Sequence, residues 1–146
     1  MRTHSAEVLA RESAGLAVVT DRATLADWRR RVIEELMTPS SPYVVALSQT
    51  GDIRARADFL DQWRELIAEA VDRLLESAAP GGRLRTSHRT RHADVDAQKM
   101  AVLILAALQG GSTLSRIARD PRPLNAALDL ALVPLMAATD DFLNGE

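Results

Sequence analysis

Apolar residues recur three or four positions apart along most of this chain, which is the spacing of one face of an α-helix. A short clear series ends before Pro39 and consists of Leu25, Trp28, Val32 and Leu36. A longer series runs from about residue 52 to 79 through Ile53, Leu60, Trp63, Ile67, Ala70, Val71 and Leu74. No useful length of chain alternates apolar and polar residues as a half-buried strand does. The pattern predicts an all-α fold, a bundle of five to six helices.

Several helix boundaries carry end signals. Thr24 followed by Asp27 resembles a capping box, which predicts that a helix starts close to residue 25. Ser41 and Pro42 predict the cap and the first position of a short helix, since proline is favoured in the first turn.

Two further helices are predicted in the C-terminal third. One covers about residues 94–119, where Pro121 follows its end, and the other covers about residues 123–139. Pro134 lies inside the second helix and removes one backbone hydrogen bond, so we expect the axis to bend there.

These two helices carry almost no charge. Residues 1–99 hold 30 charged side chains, whereas residues 100–139 hold five. A helix that is apolar all round must be covered all round. We therefore expect a homodimer in which the last two helices of each copy form a four-helix interface. The alternative is a hairpin buried inside a monomer. The predicted interface residues are small or apolar: Ala106, Ala107, Gly110, Gly111, Leu114, Leu124, Leu128, Leu132 and Leu135.

The same region has a distinctive order of residues. Residues 101–120 read AVLILAALQGGSTLSRIARD, and residues 121–132 read PRPLNAALDLAL. An Ala-Leu-Gln-Gly-Gly element occupies residues 107–111, and an Arg-Asp-Pro turn occupies residues 119–121. This combination resembles the last two helices of the C-terminal domain of TetR-family transcriptional regulators. The resemblance extends over about residues 25–135, which is most of the chain.

The resemblance implies a role in the control of transcription. In that family an N-terminal helix-turn-helix reads DNA, and the C-terminal domain dimerises and holds a small effector in a mostly apolar pocket. Residues 25–146 are expected to correspond to the C-terminal domain. Residues 1–24 are too few for the DNA-reading helices and are expected to be the remnant of a connecting helix, which frays because Gly15 interrupts its pattern. We expect DNA contact only through an N-terminal module missing from this chain.

Large aromatic side chains are rare, and most fall on segments predicted to face the helix at residues 94–119. Gln109 is a polar group on that helix and, if buried, needs a hydrogen-bond partner. A small apolar or amphipathic effector is predicted to contact Trp28, Tyr43, Phe59, Trp63, Leu103 and Gln109. The alternative is that the rings fill an ordinary core. The chain is then a purely structural dimerisation protein without a ligand, which pairs with itself or with a full-length regulator.

Composition argues against several other classes. The chain is 47% apolar and 26% charged, as is typical of soluble globular proteins. Its net charge of −2 argues against a domain built to grip nucleic acid. The lack of cysteine excludes disulfides and thiolate metal sites. The longest apolar run has nine residues, 100–108, so we expect no membrane crossing, and without a signal sequence we expect a cytoplasmic protein.

His88 and His92 are the one pair with metal-ligand spacing, and Asp94 or Asp96 offers a third ligand. Four arginines accompany the histidines between residues 83 and 91, and their positive field opposes a cation. We therefore expect a solvated loop, with no metal site and no cofactor. The alternative is that this basic loop holds an anion or meets DNA phosphates.

The sequence contains no arrangement typical of an enzyme. Gly110, Gly111 and Ser112 lack the preceding strand that a nucleophile elbow requires. The paired carboxylates at residues 34–35 and 140–141 fall at predicted helix ends, where solvent reaches them. We expect no catalytic activity.

Overall fold

The computed structural model describes residues 3–48, 51–77 and 96–144, with side chains described as far as residue 139. The fold of these residues is all-α, as predicted, with seven helices and no strand among them. The helices are α1 His4–Ala17, α2 Arg22–Leu36, α3 Pro42–Ser48, α4 Ile53–Ser77, α5 Ala97–Ala118, α6 Arg122–Ala131 and α7 Val133–Asn144. They outnumber the predicted five to six because the N-terminal segment is helical and the last predicted helix is divided in two.

The N-terminal helix α1 belongs to the core of the bundle. Val8 and Leu16 are buried, and α1 packs against α3 and α4. Gly15 lies in the last turn and does not interrupt the helix. The expectation that Gly15 interrupts the helical pattern of this segment is therefore wrong. Its weak local pattern is outweighed by apolar contacts with later helices, which supply most of a helix's stability in a folded protein.

The start of α2 lies one turn before the predicted position. Asp21 Oδ1 accepts a hydrogen bond from the Thr24 N–H at 2.8 Å, and Thr24 Oγ1 accepts one from the Asp21 N–H at 3.0 Å. Thr24 is thus the inner member of a capping box with Asp21, whereas the sequence predicted it as the outer member with Asp27. The short helix α3 begins at Pro42, behind Ser41, as predicted.

A break separates α6 from α7. The Leu132 N–H donates to the Leu128 carbonyl at 2.9 Å, and the Met136 N–H donates to the Leu132 carbonyl at 2.8 Å. Pro134 lies between them and has no N–H to donate to the carbonyl one turn earlier. The predicted bend in one helix is therefore a division into two helices.

A tight turn joins α5 to α6. Arg119 ends α5 in the left-handed conformation, with φ 57°. The hydroxyl of the buried Ser115 accepts a hydrogen bond from the Leu124 N–H at 2.9 Å, which fixes the start of α6 to the last turns of α5. Asp120 pairs with Arg122 across the turn at 2.8 Å. The two helices pack closely against each other as a hairpin.

One helix in the described part of the chain, α5, is long and apolar enough to cross a membrane, with a mean hydropathy of 1.4. Within the bundle 39% of that stretch is buried, because α5 packs on α4 and α6. The core helix of a soluble protein meets the same criteria, so this observation is weak evidence for a membrane crossing.

Candidate functional site

A buried carboxylate joins the first four helices. Glu12 of α1 is only 3% exposed, and its Oε1 accepts hydrogen bonds from Trp28 Nε1 at 2.9 Å and from Trp63 Nε1 at 3.0 Å. Its Oε2 accepts a hydrogen bond from the Tyr43 hydroxyl at 2.7 Å. The three donors come from α2, α3 and α4. We call these four residues the Glu12 cluster.

The position of Glu12 follows from the helical spacing of α1. Val8, Glu12 and Leu16 are four residues apart, so they share one face, and all three are buried. A carboxylate on a buried face is costly unless hydrogen bonds replace its lost water. Two indole N–H groups and a phenol supply those bonds here. This arrangement explains why three large rings with polar edges meet at one point.

The Glu12 cluster has a distinctive electrostatic character. Burial raises the pKa of Glu12 above its ordinary value, while the hydrogen bonds from Tyr43, Trp28 and Trp63 and the positive charge of Arg31 offset part of that increase. Burial also raises the pKa of Tyr43, and the neighbouring Glu12 carboxylate raises it further. The Tyr43 phenol therefore stays protonated and remains a donor.

The structure brings together only part of the predicted effector site. Tyr43 and Trp63 meet edge to face, with ring centroids 5.9 Å apart, and Phe59 lies 5.7 Å from Trp63. Leu103 is 52% exposed on α5. Gln109 is also on α5, where its side-chain oxygen is buried without a hydrogen-bond partner in the described residues. The last two residues do not belong to the Glu12 cluster.

Sequence reasoning missed Glu12, although a signal was present. An acidic residue four positions from each of two apolar residues lies on the apolar face of a helix. Such a residue is either at the edge of the face or buried with partners. Because the apolar pattern of this segment is weak, the sequence alone does not assign Glu12 to a core.

A surface cleft of about 340 Å³ lies beside the Glu12 cluster, between α1 and α2. Glu12, Trp28 and Tyr43 contribute to its lining, together with Val32. Phe59 instead lines a different cleft of about 370 Å³ near the start of α4. The aromatic residues predicted to form one pocket therefore contribute to two separate clefts.

Besides the buried Glu12, three charged residues line the first cleft: Arg11, Arg31 and Glu35. Arg11 lies 3.2 Å from Glu7 and 3.3 Å from Glu35. Glu35 also accepts a hydrogen bond from the Ser41 hydroxyl at 2.6 Å. Arg31 lines the same cleft and makes no hydrogen bond or ion pair with the described residues.

A second feature is an apolar surface on the opposite, C-terminal part of the chain. Of the eight exposed large apolar side chains in the described residues, six lie on α5, α6 and α7. Four of the six lie on α5 at helical spacing, and the small residues Ala106 and Gly110 lie between them on the same side of the helix. We call this surface the outer face: Val102, Leu103, Ala106, Gly110, Leu114, Ile117 and, on α6, Leu130.

The predicted interface residues divide between this surface and the core. Ala106, Gly110 and Leu114 are exposed on the outer face, and Ala107 is half-buried at its edge. The four leucines of α6, α7 and the turn between them pack inside one chain and offer no surface to a second copy: Leu124, Leu128, Leu132 and Leu135. The apolar spacing identified these positions correctly as buried, but it does not distinguish burial within a chain from burial between chains.

Gly111 likewise serves the fold of one chain. A Cβ at this position would lie 3.0 Å from Leu124 Cα and 3.3 Å from Ala127 Cβ, so the glycine permits close packing of α5 on α6. A Cβ at Gly110 would meet nothing within 4 Å. The close helix approach predicted between copies at Gly111 is therefore an approach within the hairpin.

The predicted histidine pair cannot be placed relative to the Glu12 cluster or the outer face. His88, His92 and Asp94 are outside the described residues. Asp96 caps the start of α5 by accepting a hydrogen bond from the Gln98 N–H at 2.9 Å. Within residues 3–48, 51–77 and 96–144 no group of three side chains is arranged to hold a metal ion.

Comparison with known proteins identifies no relative. No protein-family model matches the chain, and neither a curated protein nor a solved structure matches it.

Proposed function

We propose that this chain is a homodimeric, effector-sensing domain similar to the C-terminal domain of TetR-family regulators. The outer face is the single observation that carries the proposal. Sensing is assigned to the cleft beside the Glu12 cluster. In this proposal DNA is contacted by an N-terminal module outside this sequence, and the chain itself has no catalytic function.

The properties of the outer face favour a second copy of the chain as its occupant. The stretch of α5 from Val102 to Ser115 carries no charged residue, so the face offers nothing for a charged partner to recognise. Its exposed apolar residues recur at helical spacing, which suits packing against another helix. Ala106 and Gly110 lack bulk and allow a neighbouring backbone to come close. In a two-fold symmetric dimer the outer face of one copy packs antiparallel against the outer face of the other.

The size of the outer face is adequate for such an interface. A helix of 22 residues is about 33 Å long, since each residue adds about 1.5 Å. Standard protein interfaces bury about 1,600 Å² in total. Two copies of α5, together with Leu130 and Val133, present exposed apolar side chains over most of that length, from Val102 to Ile117.

The sensing role is supported by the arrangement of the N-terminal helices. The cleft lies between α1 and α2, and Glu12 ties α1 to the rings of α2, α3 and α4. A ligand that prefers one position of α1 shifts the population toward that position. A module attached ahead of α1 would move with it.

A second candidate function is structural dimerisation without a ligand. It is favoured by the burial of Trp28, Tyr43, Phe59 and Trp63, which are all less than 5% exposed. The Trp63 ring packs against those of Tyr43 and Phe59, as side chains of an ordinary core do. The two functions share the outer face and differ in whether the cleft binds anything.

Sedimentation velocity on the wild type and on Leu114→Arg tests the proposal. Leu114 is 60% exposed, so the arginine is tolerated in a single chain, but in the dimer it buries an unpaired charge from each copy. We expect a dimeric wild type and a dissociation constant raised by at least about 100-fold in the variant, which corresponds to roughly 3 kcal/mol.

Ile53→Arg is the matched control, because Ile53 is 81% exposed on α4 and lies outside the outer face. It should sediment as the wild type does. A monomeric wild type, or an equal effect of both substitutions, contradicts the proposal. A monomer that floats with lipid vesicles would instead assign the outer face to a membrane surface.

A further inference from the structure

We propose that the cleft between α1 and α2 binds a small organic anion, a carboxylate on a compact apolar or aromatic body, with Arg31 as the group that recognises the charge. The inference rests on the proposed sensing function, because it names the ligand class of that cleft.

The first argument is the balance of free hydrogen-bonding groups around the cleft. Glu12 already accepts three hydrogen bonds, and Glu35 is engaged by Ser41 and Arg11. Both carboxylates are therefore occupied and offer little to a cation. Arg31 has no hydrogen-bond or ion-pair partner among the described residues. The hydrogen-bonding group of the cleft that remains available to a ligand is therefore a donor, the Arg31 guanidinium.

The second argument is the chemistry of that donor. A guanidinium presents five N–H donors in a planar fork that matches the two oxygens of a carboxylate. Arg31 is exposed at the rim, so an incoming anion reaches it without opening the core. Its positive charge is only partly compensated, through a longer-range interaction with the buried Glu12.

The third argument is the space beside Arg31. Gly15 of α1 faces the guanidinium, and a Cβ at Gly15 would lie 3.6 Å from Arg31 Nη2. A longer side chain at this position would occupy the cleft. Glycine at this position therefore leaves room beside Arg31 for the charged group of the ligand.

The fourth argument is the lining of the rest of the cleft. Val32 and the edges of Trp28 and Tyr43 form a mainly apolar base. The volume of about 340 Å³ is at the small end of the ~300–1,000 Å³ range of ligand pockets. A ligand with one charged group and a body of the size of a single ring fits both properties.

Calorimetric titration with benzoate tests the inference, with benzamide and benzylammonium as neutral and cationic probes of the same shape. We expect saturable binding of benzoate at low millimolar concentrations and no comparable binding of the other two. The chain's only two tryptophans both belong to the Glu12 cluster, so benzoate should also change the tryptophan fluorescence.

Two substitutions examine the role of Arg31. Arg31→Gln should weaken benzoate binding at least about tenfold, because it removes a charge-assisted hydrogen bond. Arg30→Gln is the matched control, since Arg30 is the preceding residue, pairs with Asp27 at 3.0 Å and does not line this cleft. Gly15→Leu should also abolish binding by filling the space, and circular dichroism checks that each variant remains helical.

Each outcome has a defined meaning. Preferential binding of benzylammonium, equal binding of benzamide, no binding of benzoate, or unchanged affinity in Arg31→Gln overturns the inference. Sedimentation of the same samples separates it from the proposed function. A wild-type dimer without benzoate binding contradicts the anion site alone, whereas a benzoate-binding monomer contradicts the dimer alone.

Discussion

The Glu12 cluster and the α5–α6 hairpin resolve the same problem, burial of apolar surface, in opposite ways. The Glu12 cluster closes on itself, because its rings are buried and every donor of the cluster has an acceptor in the same chain. The hairpin buries one side of α5 against Leu124 and its neighbours and leaves the other side apolar and exposed. The first region leaves none of its rings exposed, whereas the second leaves an apolar face that, in the proposed function, a second copy covers.

Because of this difference, the stability of a single chain and the association of two chains should depend on different residues. Changes in the Glu12 cluster should affect the folding of each chain, whereas changes on the outer face should affect the pairing of chains. The two neighbouring glycines of α5 show the boundary, since Gly111 faces inward against α6 and Gly110 faces outward.

The largest expected effect is that of Glu12→Ala. It leaves three buried donors, on Trp28, Trp63 and Tyr43, without their acceptor, and each unsatisfied group costs about 1–3 kcal/mol. We expect the free energy of unfolding in urea to fall by about 3 kcal/mol or more. Glu7→Ala, five residues earlier on α1 and with a side chain 40% exposed, should cost less than about 1 kcal/mol. Similar losses in both variants would show that the Glu12 cluster does not hold the first four helices together.

The sequence predicted much of the fold and less of the site, for physical reasons visible in particular residues. Helical spacing located α2, α4 and α5 because their apolar faces are long. It missed the role of α1, because Glu12 interrupts an apolar face and its partners are distant in sequence. It placed Leu124 and Gly111 at an interface between chains, because spacing records burial but not the identity of the covering surface.

The next effect in size is a difference between the two glycines. Gly111→Ala forces a methyl group against Leu124 Cα and should cost about 1–3 kcal/mol by overpacking. Gly110→Ala meets nothing and should stabilise the chain by up to about 1 kcal/mol, because alanine favours helix. Both are measured in the Leu114→Arg background, so that pairing of chains does not contribute. Equal signs would contradict the close packing of α5 on α6.

The smallest effect is a dependence on pH. Because burial raises the pKa of Glu12 in the folded chain, ionisation of Glu12 opposes folding. Its contribution to stability is therefore fully present below its ordinary pKa of 4.5 and is lost as the pH rises through the higher, folded-state pKa. Glu12→Gln keeps a side-chain acceptor for both indoles and does not titrate.

The free energy of unfolding of Glu12→Gln relative to the wild type should therefore increase as the pH rises from acid values and then level off. Chemical denaturation at a series of pH values measures it. A difference that stays constant, or that decreases with pH, would contradict the raised pKa.

The most direct test of the outer face as a dimer interface is cross-linking through a single engineered cysteine. The chain has no cysteine of its own, and a side chain at Gly110 meets nothing within 4 Å, so Gly110→Cys introduces one thiol without strain. A short thiol-to-thiol cross-linker should join Gly110→Cys chains into covalent dimers at low protein concentration. Ile53→Cys, at a position that is also exposed but lies on α4, should stay monomeric under the same conditions. Equal cross-linking of the two variants, or none at position 110, would contradict the interface.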